Sequence, residues 1–236
     1  MGYSKLTDLV AEKHPFTALL YCPTGVGKTT ALGLIAEKSK GKTLILDVDR
    51  TVVTTLSKME VVKDLSKIDV RPIDNVNTWS DWENALKELQ MLKKEGKLDY
   101  ENICVDNISE LERCILSDLG SQGKNKGVPA QADYQYMQFK LVNSLRFFKS
   151  LGVNVIWTAW ETVEQFQNPD GSTYNRQYPK CSVKIVDNIC GLCDIVGKII
   201  AKQDGTRGIV LEATQNIYAK NQIDTRKGCL VEEFVK

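Results

Sequence analysis

Apolar residues fall along the chain in short unbroken runs, separated by longer stretches in which they recur every three or four positions. The runs at 16–21 (FTALLY), 43–49 (TLILDVD), 102–106 (NICVD) and 153–160 (VNVIWTAW) predict buried strands, since a strand with one wet face would alternate, and a short strand also fits 68–73 (IDVRPI). DIVGKII and GIVLEA, joined by the turn KQDGTRG, predict two more. Between the first two runs, 28–38 has helix composition, with Gly41 as a stop. Trp79, Trp82, Leu86, Leu89 and Leu92 share one helical face, and Ser80 with Glu83 offers a capping box at its start. Helix-like residues follow Asp106 to about Leu119, and Tyr134, Met137, Leu141, Leu145 and Phe148 predict another helix. Strand and helix alternate through most of the chain. The expected fold is therefore α/β, a mainly parallel central sheet flanked by helices, in a single domain over 1–236. An N-terminal arm over 1–15 and flexible loops at 120–130 and 163–184 complete the expectation.

Composition changes this picture little. The 236 residues are 42% hydrophobic and 26% charged, and 31 basic against 30 acidic residues leave a net charge of +1. Any nucleic-acid surface must then be local. No apolar run approaches the ~18 residues of a membrane helix, and the first 16 residues lack the apolar core of a signal peptide. A cytoplasmic protein with no membrane partner is expected, its seven cysteines reduced. Cys181, Cys190 and Cys193 include a C-x-x-C, but the single histidine, His14, is far off in sequence and no second pair completes four zinc ligands. Buried thiols are the simpler expectation.

Chemistry concentrates in YCPTGVGKTT, residues 21–30. A phosphate loop reads G-x-x-x-x-G-K-[ST]; here Gly27, Lys28 and Thr29 fit, and Cys22 stands in the first glycine position. Such a loop wraps amide N–H groups around phosphate oxygens at a helix N-terminus, and the motif does follow a strand and open a helix. Cys22, Pro23, Thr24, Gly25, Val26, Gly27, Lys28, Thr29 and Thr30 are thus the candidate nucleotide contacts, with Lys28 facing the β- and γ-phosphates. The cofactors implied are ATP and Mg²⁺, the metal held by Thr29 and by Asp106 at the end of ICVD. Asn107 follows Asp106, so the carboxylate that orients attacking water comes from elsewhere. Asp49 and Glu161 both stand at strand ends.

The order of phosphate loop, LDVD, ICVDN, NVIWTAWE and a late AKNQ resembles the RecA-like P-loop ATPases of phages. That group includes AAA-type nucleotide-binding proteins, single-strand annealing proteins and recombinases. The resemblance implies that Asp49 holds the catalytic position, that Thr158 or Glu161 senses the γ-phosphate, and that two DNA-binding loops lie at 120–130 and 163–184. Those segments carry Lys124 and Lys126, then Tyr174, Arg176, Tyr178, Lys180 and Lys184. Cations interleaved with rings suit sequence-tolerant single-strand binding, although a solvated hairpin would read the same way. The resemblance further implies self-association into a ring or filament, with Lys220 (or Arg226 or Arg207) reaching a neighbour's γ-phosphate, and work beside a single-strand-binding protein. Two alternatives stand beside recombination or annealing. One is a nucleotide-gated adaptor or loader in phage DNA replication. The other is a P-loop nucleotide kinase, disfavoured because the long polar insertion holds one arginine, Arg176. A GTPase lacks its N-K-x-D motif here.

Overall fold

The computed structural model of the chain describes residues 14–60 and 62–235. Most of the expected N-terminal arm lies outside these residues. Strands β1 (Thr17–Cys22), β2 (Lys42–Asp47), β3 (Ile68–Pro72), β4 (Tyr100–Asp106), β5 (Asn154–Gln167) and β7 (Ile195–Ala201) form the parallel part of the sheet, in the order β7-β1-β5-β4-β2-β3. Antiparallel strands extend it. β6 (Thr173–Lys180) pairs with β5, β8 (Arg207–Val210) and β9 (Lys220–Asn221) pair with β7, and β10 (Gly228–Leu230) pairs with β8.

The apolar runs are continuous because both sheet faces are covered. In β1, Leu19 and Tyr21 enter one core, while Ala18, Leu20 and Cys22 enter the other. The first core packs under helices α3 (Thr78–Lys94), α4 (Ile108–Gln122), α5 (Gln131–Ser150) and α6 (Val183–Leu192). Trp82, Phe148 and Trp157 meet there edge-on or tilted, their ring centres 5.5–5.9 Å apart. The second core packs under α1 (Lys28–Lys38) and the C-terminal 3-10 turn Val231–Glu233, with the short α2 (Val52–Leu56) at its edge.

Three expectations are corrected. Helix α3 begins at Thr78, ahead of the supposed Ser80–Glu83 box, and its first-turn Trp79 amide donates instead to Asp118 of α4 at 2.9 Å. The loop expected at 120–130 starts later, because α4 continues to Gln122. The segment expected as a flexible loop at 163–184 is regular: β5 runs on to Gln167, β6 returns from Thr173 to Lys180, and α6 starts at Val183. Among the described residues no helix is long and apolar enough to cross a membrane.

Candidate nucleotide site

β1 ends at Cys22 and the chain turns through Gly25 (φ 85°) and Gly27 (φ 110°) before α1 begins at Lys28. Both glycines hold left-handed backbone that a side chain resists. Among the described residues, the amides of Gly25, Gly27, Lys28, Thr29 and Thr30 donate to no carbonyl or side chain; only Val26 bonds back, to Pro23 O. Five amide donors are thus left for an anion at a helix N-terminus. Lys28 is 7% exposed and has no carboxylate within ion-pair distance among the described residues. A desolvated cation without an acidic partner is unfavourable unless an anion arrives. Donor set and charge both fit a polyphosphate.

Cys22 explains its own presence. Its side chain is fully buried in the α1-side core, and burial pushes its thiol up to about 11. The first position of this loop packs beneath it, so a small residue suffices. Cys22→Gly should therefore keep Mg·ATP affinity within a few-fold while lowering the melting temperature, as loss of a buried side chain requires. Titration calorimetry checks the first and calorimetric melting the second; a large loss of affinity would give the thiol a direct role.

Inserting β5 between β1 and β4 decides the rest. Thr29 from α1 donates to Asp106 Oδ2 at 2.6 Å, and Thr158 from β5 donates to Asp106 Oδ1 at 2.5 Å. Asp106 and Thr158 are fully buried. The chain after β2 docks on the same residue: Val48 and Asp49 amides donate to the Asp106 carbonyl at 2.8 and 3.2 Å. Asp49 is thereby carried beside Asp106. Asn107 donates from Nδ2 to Asp49 Oδ2 at 2.6 Å, while its own Oδ1 caps α4 by accepting from the Glu110 amide. Asp49 Oδ1 is buried with no partner among the described residues. Burial first, then Asp106 beside it, pushes the Asp49 carboxyl up to about 7. Asp47 is occupied differently, accepting from the Thr51 and Val52 amides at the start of α2.

The sequence matches the family model described as an AAA domain over residues 14–223. The chain belongs to that family. It carries a P-loop ATPase domain, and its mostly parallel sheet between helices is the fold of that class. No curated protein matches its sequence. Among solved structures it is similar to a prototypical ATPase from the type III secretion system of pathogenic bacteria, at 14% identity and a TM-score of 0.48, over 81% of this chain. The chain spans about half of that ATPase, 52% of its length.

Other candidate residues of the AAA domain lie elsewhere. Glu161 faces Lys198, whose Nζ stands 2.9 Å from Glu161 Oε2 without hydrogen-bond alignment and donates to Gln177 Oε1 at 2.6 Å. Lys220 is not free to cross an interface. Its ammonium donates to the carbonyls of Cys190, Gly191 and Cys193 (3.3, 3.1 and 2.6 Å), capping the C-terminal end of α6. Arg226 pairs with Asp224 at 2.6 Å and donates to Glu233 O. Arg207 alone of the three late cations touches the phosphate loop, with Nε 3.3 Å from the Val26 carbonyl of its own chain.

Lys124 and Lys126 are exposed beyond α4. The hairpin residues separate into two groups. Arg176 lies 5.5 Å from the ring centres of both Phe166 and Tyr174, which stack at 5.7 Å and 22°. At the hairpin base, Arg113 and Lys180 stand 5.1 and 5.7 Å from the Trp160 ring. Tyr178 between them is no open platform. It is 5% exposed, packs on Tyr218 at 4.4 Å and donates to Asp187. Lys184 sits on the first turn of α6 and not on the hairpin. Phe166, Trp160 and Arg113 escaped sequence reasoning, although Asn168-Pro169-Asp170-Gly171 between two alternating segments is a turn signal. Burial raises the thiols of Cys181, Cys190 and Cys193, and no three ligating side chains among the described residues form a metal site.

Proposed function

We propose that this AAA domain hydrolyses Mg·ATP and that its β5–β6 hairpin binds single-stranded DNA, in phage-type recombination or strand annealing. Lys28 and the loop amides hold the phosphates. Thr29 and Asp106 are the oxygen ligands suited to Mg²⁺, which when bound neutralises phosphate charge. Asp49 accepts a proton from the attacking water, and Asn107 fixes its orientation. Self-association and a single-strand-binding partner belong to the same proposal.

The DNA half rests on one observation. Pairing of Trp160 with Lys180 through Gln167 with Thr173 puts Trp160, Phe166, Tyr174, Arg176 and Lys180 on one face of the hairpin, together with Thr162, Glu164 and the buried Tyr178. The other face carries no ring and no cation. Bases stack on rings and phosphates track cations, so this sorting supports single-strand binding. β5 also carries Thr158, which touches Asp106, so strand binding and the nucleotide share one continuous element.

ATP turnover measured with single-stranded, double-stranded and no DNA tests the reading. Stimulation by single strands is expected; turnover indifferent to DNA would favour the adaptor or loader instead. Phe166→Ala or Tyr174→Ala should weaken single-strand binding by ~1–3 kcal/mol. Replacing Arg113, Arg176 and Lys180 together by alanine should flatten the log–log salt slope by about 2, at ~0.7 per lost phosphate contact. Fluorescence anisotropy on a labelled oligonucleotide reads both. Binding untouched by these changes would remove the hairpin from the interface.

A further inference from the structure

Arg207 lies about 180 residues beyond the phosphate loop in sequence, yet its guanidinium rests on that loop. Nε donates to the Val26 carbonyl at 3.3 Å, and Nη1 donates to the Gly205 carbonyl at 3.1 Å, anchoring the group to the β7–β8 turn. A Cβ placed on Gly27 would come 2.6 Å from Nε and 3.2 Å from Nη2. The φ of 110° is what requires glycine at 27, and the missing side chain leaves the space that the guanidinium occupies.

The consequence follows from peptide geometry. Across a planar trans peptide the C=O and the N–H point in opposite directions. A donor that holds the Val26 carbonyl on the Arg207 side turns the Gly27 N–H to the other side. Without that donor, glycine's freedom lets the Val26–Gly27 peptide rotate, which would aim a carbonyl dipole at the space meant for phosphate oxygens. The Gly27 amide is one of the five that donate to nothing among the described residues.

We propose that Arg207 is a positioning residue for the nucleotide, acting within its own subunit to fix the Val26–Gly27 peptide so that the Gly27 amide faces the phosphates. The proposal rests on the nucleotide-site reading above, and departs from the expectation that a late cation acts across an interface. It acts on ATP and ADP alike, since an amide of the loop serves the phosphates that both possess.

Arg207→Met, with Kd for Mg·ATP and Mg·ADP measured at low and at high salt, tests it. Both Kd values should rise roughly 10-fold or more, the scale of one hydrogen bond to a charged group. Most of the loss should persist at high salt, because the hydrogen bond lost is to a neutral carbonyl and salt screens only the guanidinium's longer-range attraction to the phosphates. KM should rise with Kd while kcat stays within a few-fold, the mark of an interaction made equally in ground and transition states. Mixing Arg207→Met with Lys28→Ala should give no more than the sum of their activities. Unchanged Kd values would overturn the proposal. So would a loss that shrinks strongly with salt, which signals direct charge contact with phosphate, or complementation in the mixture, which signals action in trans. Arg207→Gln is read by the same criteria if the methionine variant does not fold. A parent protein that binds no Mg·ATP sinks the site reading and this proposal together, whereas normal parent binding with an unaffected variant sinks this proposal alone.

Discussion

Lys28→Ala should abolish tight binding of Mg·ATP and with it turnover, while leaving the nucleotide-free fold at least as stable as the parent. Lys28 is 7% exposed, opens the helix whose first amides are unbonded, and has no ion-pair partner among the described residues. Its charge is therefore a liability to the empty protein and an asset only with phosphate present. Removing the ammonium deletes the positive charge at the start of α1 that the phosphates require, and relieves the free chain of a desolvated cation. Thermal shift separates the two effects. At 100 times Kd a ligand stabilises the folded state by ~2.7 kcal/mol. For a chain of this size that is a rise of roughly 5–10 °C in melting temperature. The parent should show that rise with Mg·ATP, and Lys28→Ala should show none, starting from an equal or higher baseline. A variant that keeps the rise would contradict the assignment of the site.

Asp49→Asn should retain Mg·ATP yet hydrolyse it ~10²-fold or more slowly, the scale of a lost general base. The carboxylate is carried beside Asp106 by the docking of 48–49, and Asn107 holds one of its oxygens while the other has no partner among the described residues. A base with a pKa near 7 works only when ionised, so parent turnover should climb as pH rises through about 7. Stability should run the opposite way. The folded pKa is raised, so between about 4 and 7 the native state binds more protons than the unfolded chain and loses stability as pH rises. Asparagine cannot ionise, and its gain in melting temperature over the parent should be larger at pH 8 than at pH 5. Glu161→Gln is the control. Glu161 is held by Lys198, so its change should slow hydrolysis far less. If Glu161→Gln is the slow variant and Asp49→Asn is not, the base has been misassigned.

The parts of this protein that were legible in its sequence are those set by local chemistry. Strands covered on both faces must be apolar throughout, so β1, β2, β4 and the first half of β5 stood out as unbroken runs. The phosphate loop was legible because left-handed backbone at 25 and 27 needs glycine and because Lys28 and Thr29 follow at fixed offsets. A cysteine in place of the first glycine did not hide it, since that position packs into the core beneath the loop.

What sequence left open depended on neighbours far along the chain. The β5–β6 hairpin has one side half-exposed, so its alternation of polar and aromatic residues reads as a polar loop until the partner strand supplies the register. Tyr178 looked like its neighbour Tyr174, and only Tyr218 and Asp187 packed against it decide that one ring is buried and the other half-exposed. Lys220 looked like a free late cation, and the end of α6 claims it. Arg207 was only an alternative to Lys220 until the β7–β8 turn laid it across Gly27. Backbone conformation and hydrophobic period are properties of a few adjacent residues, so the sequence alone determined the buried strands, the helices between them and the phosphate loop, but not the hairpin. The choice of which carboxylate meets Asp106 and which arginine meets the loop is a matter of sheet order and side-chain reach across more than fifty residues of chain, and only the tertiary structure could make it.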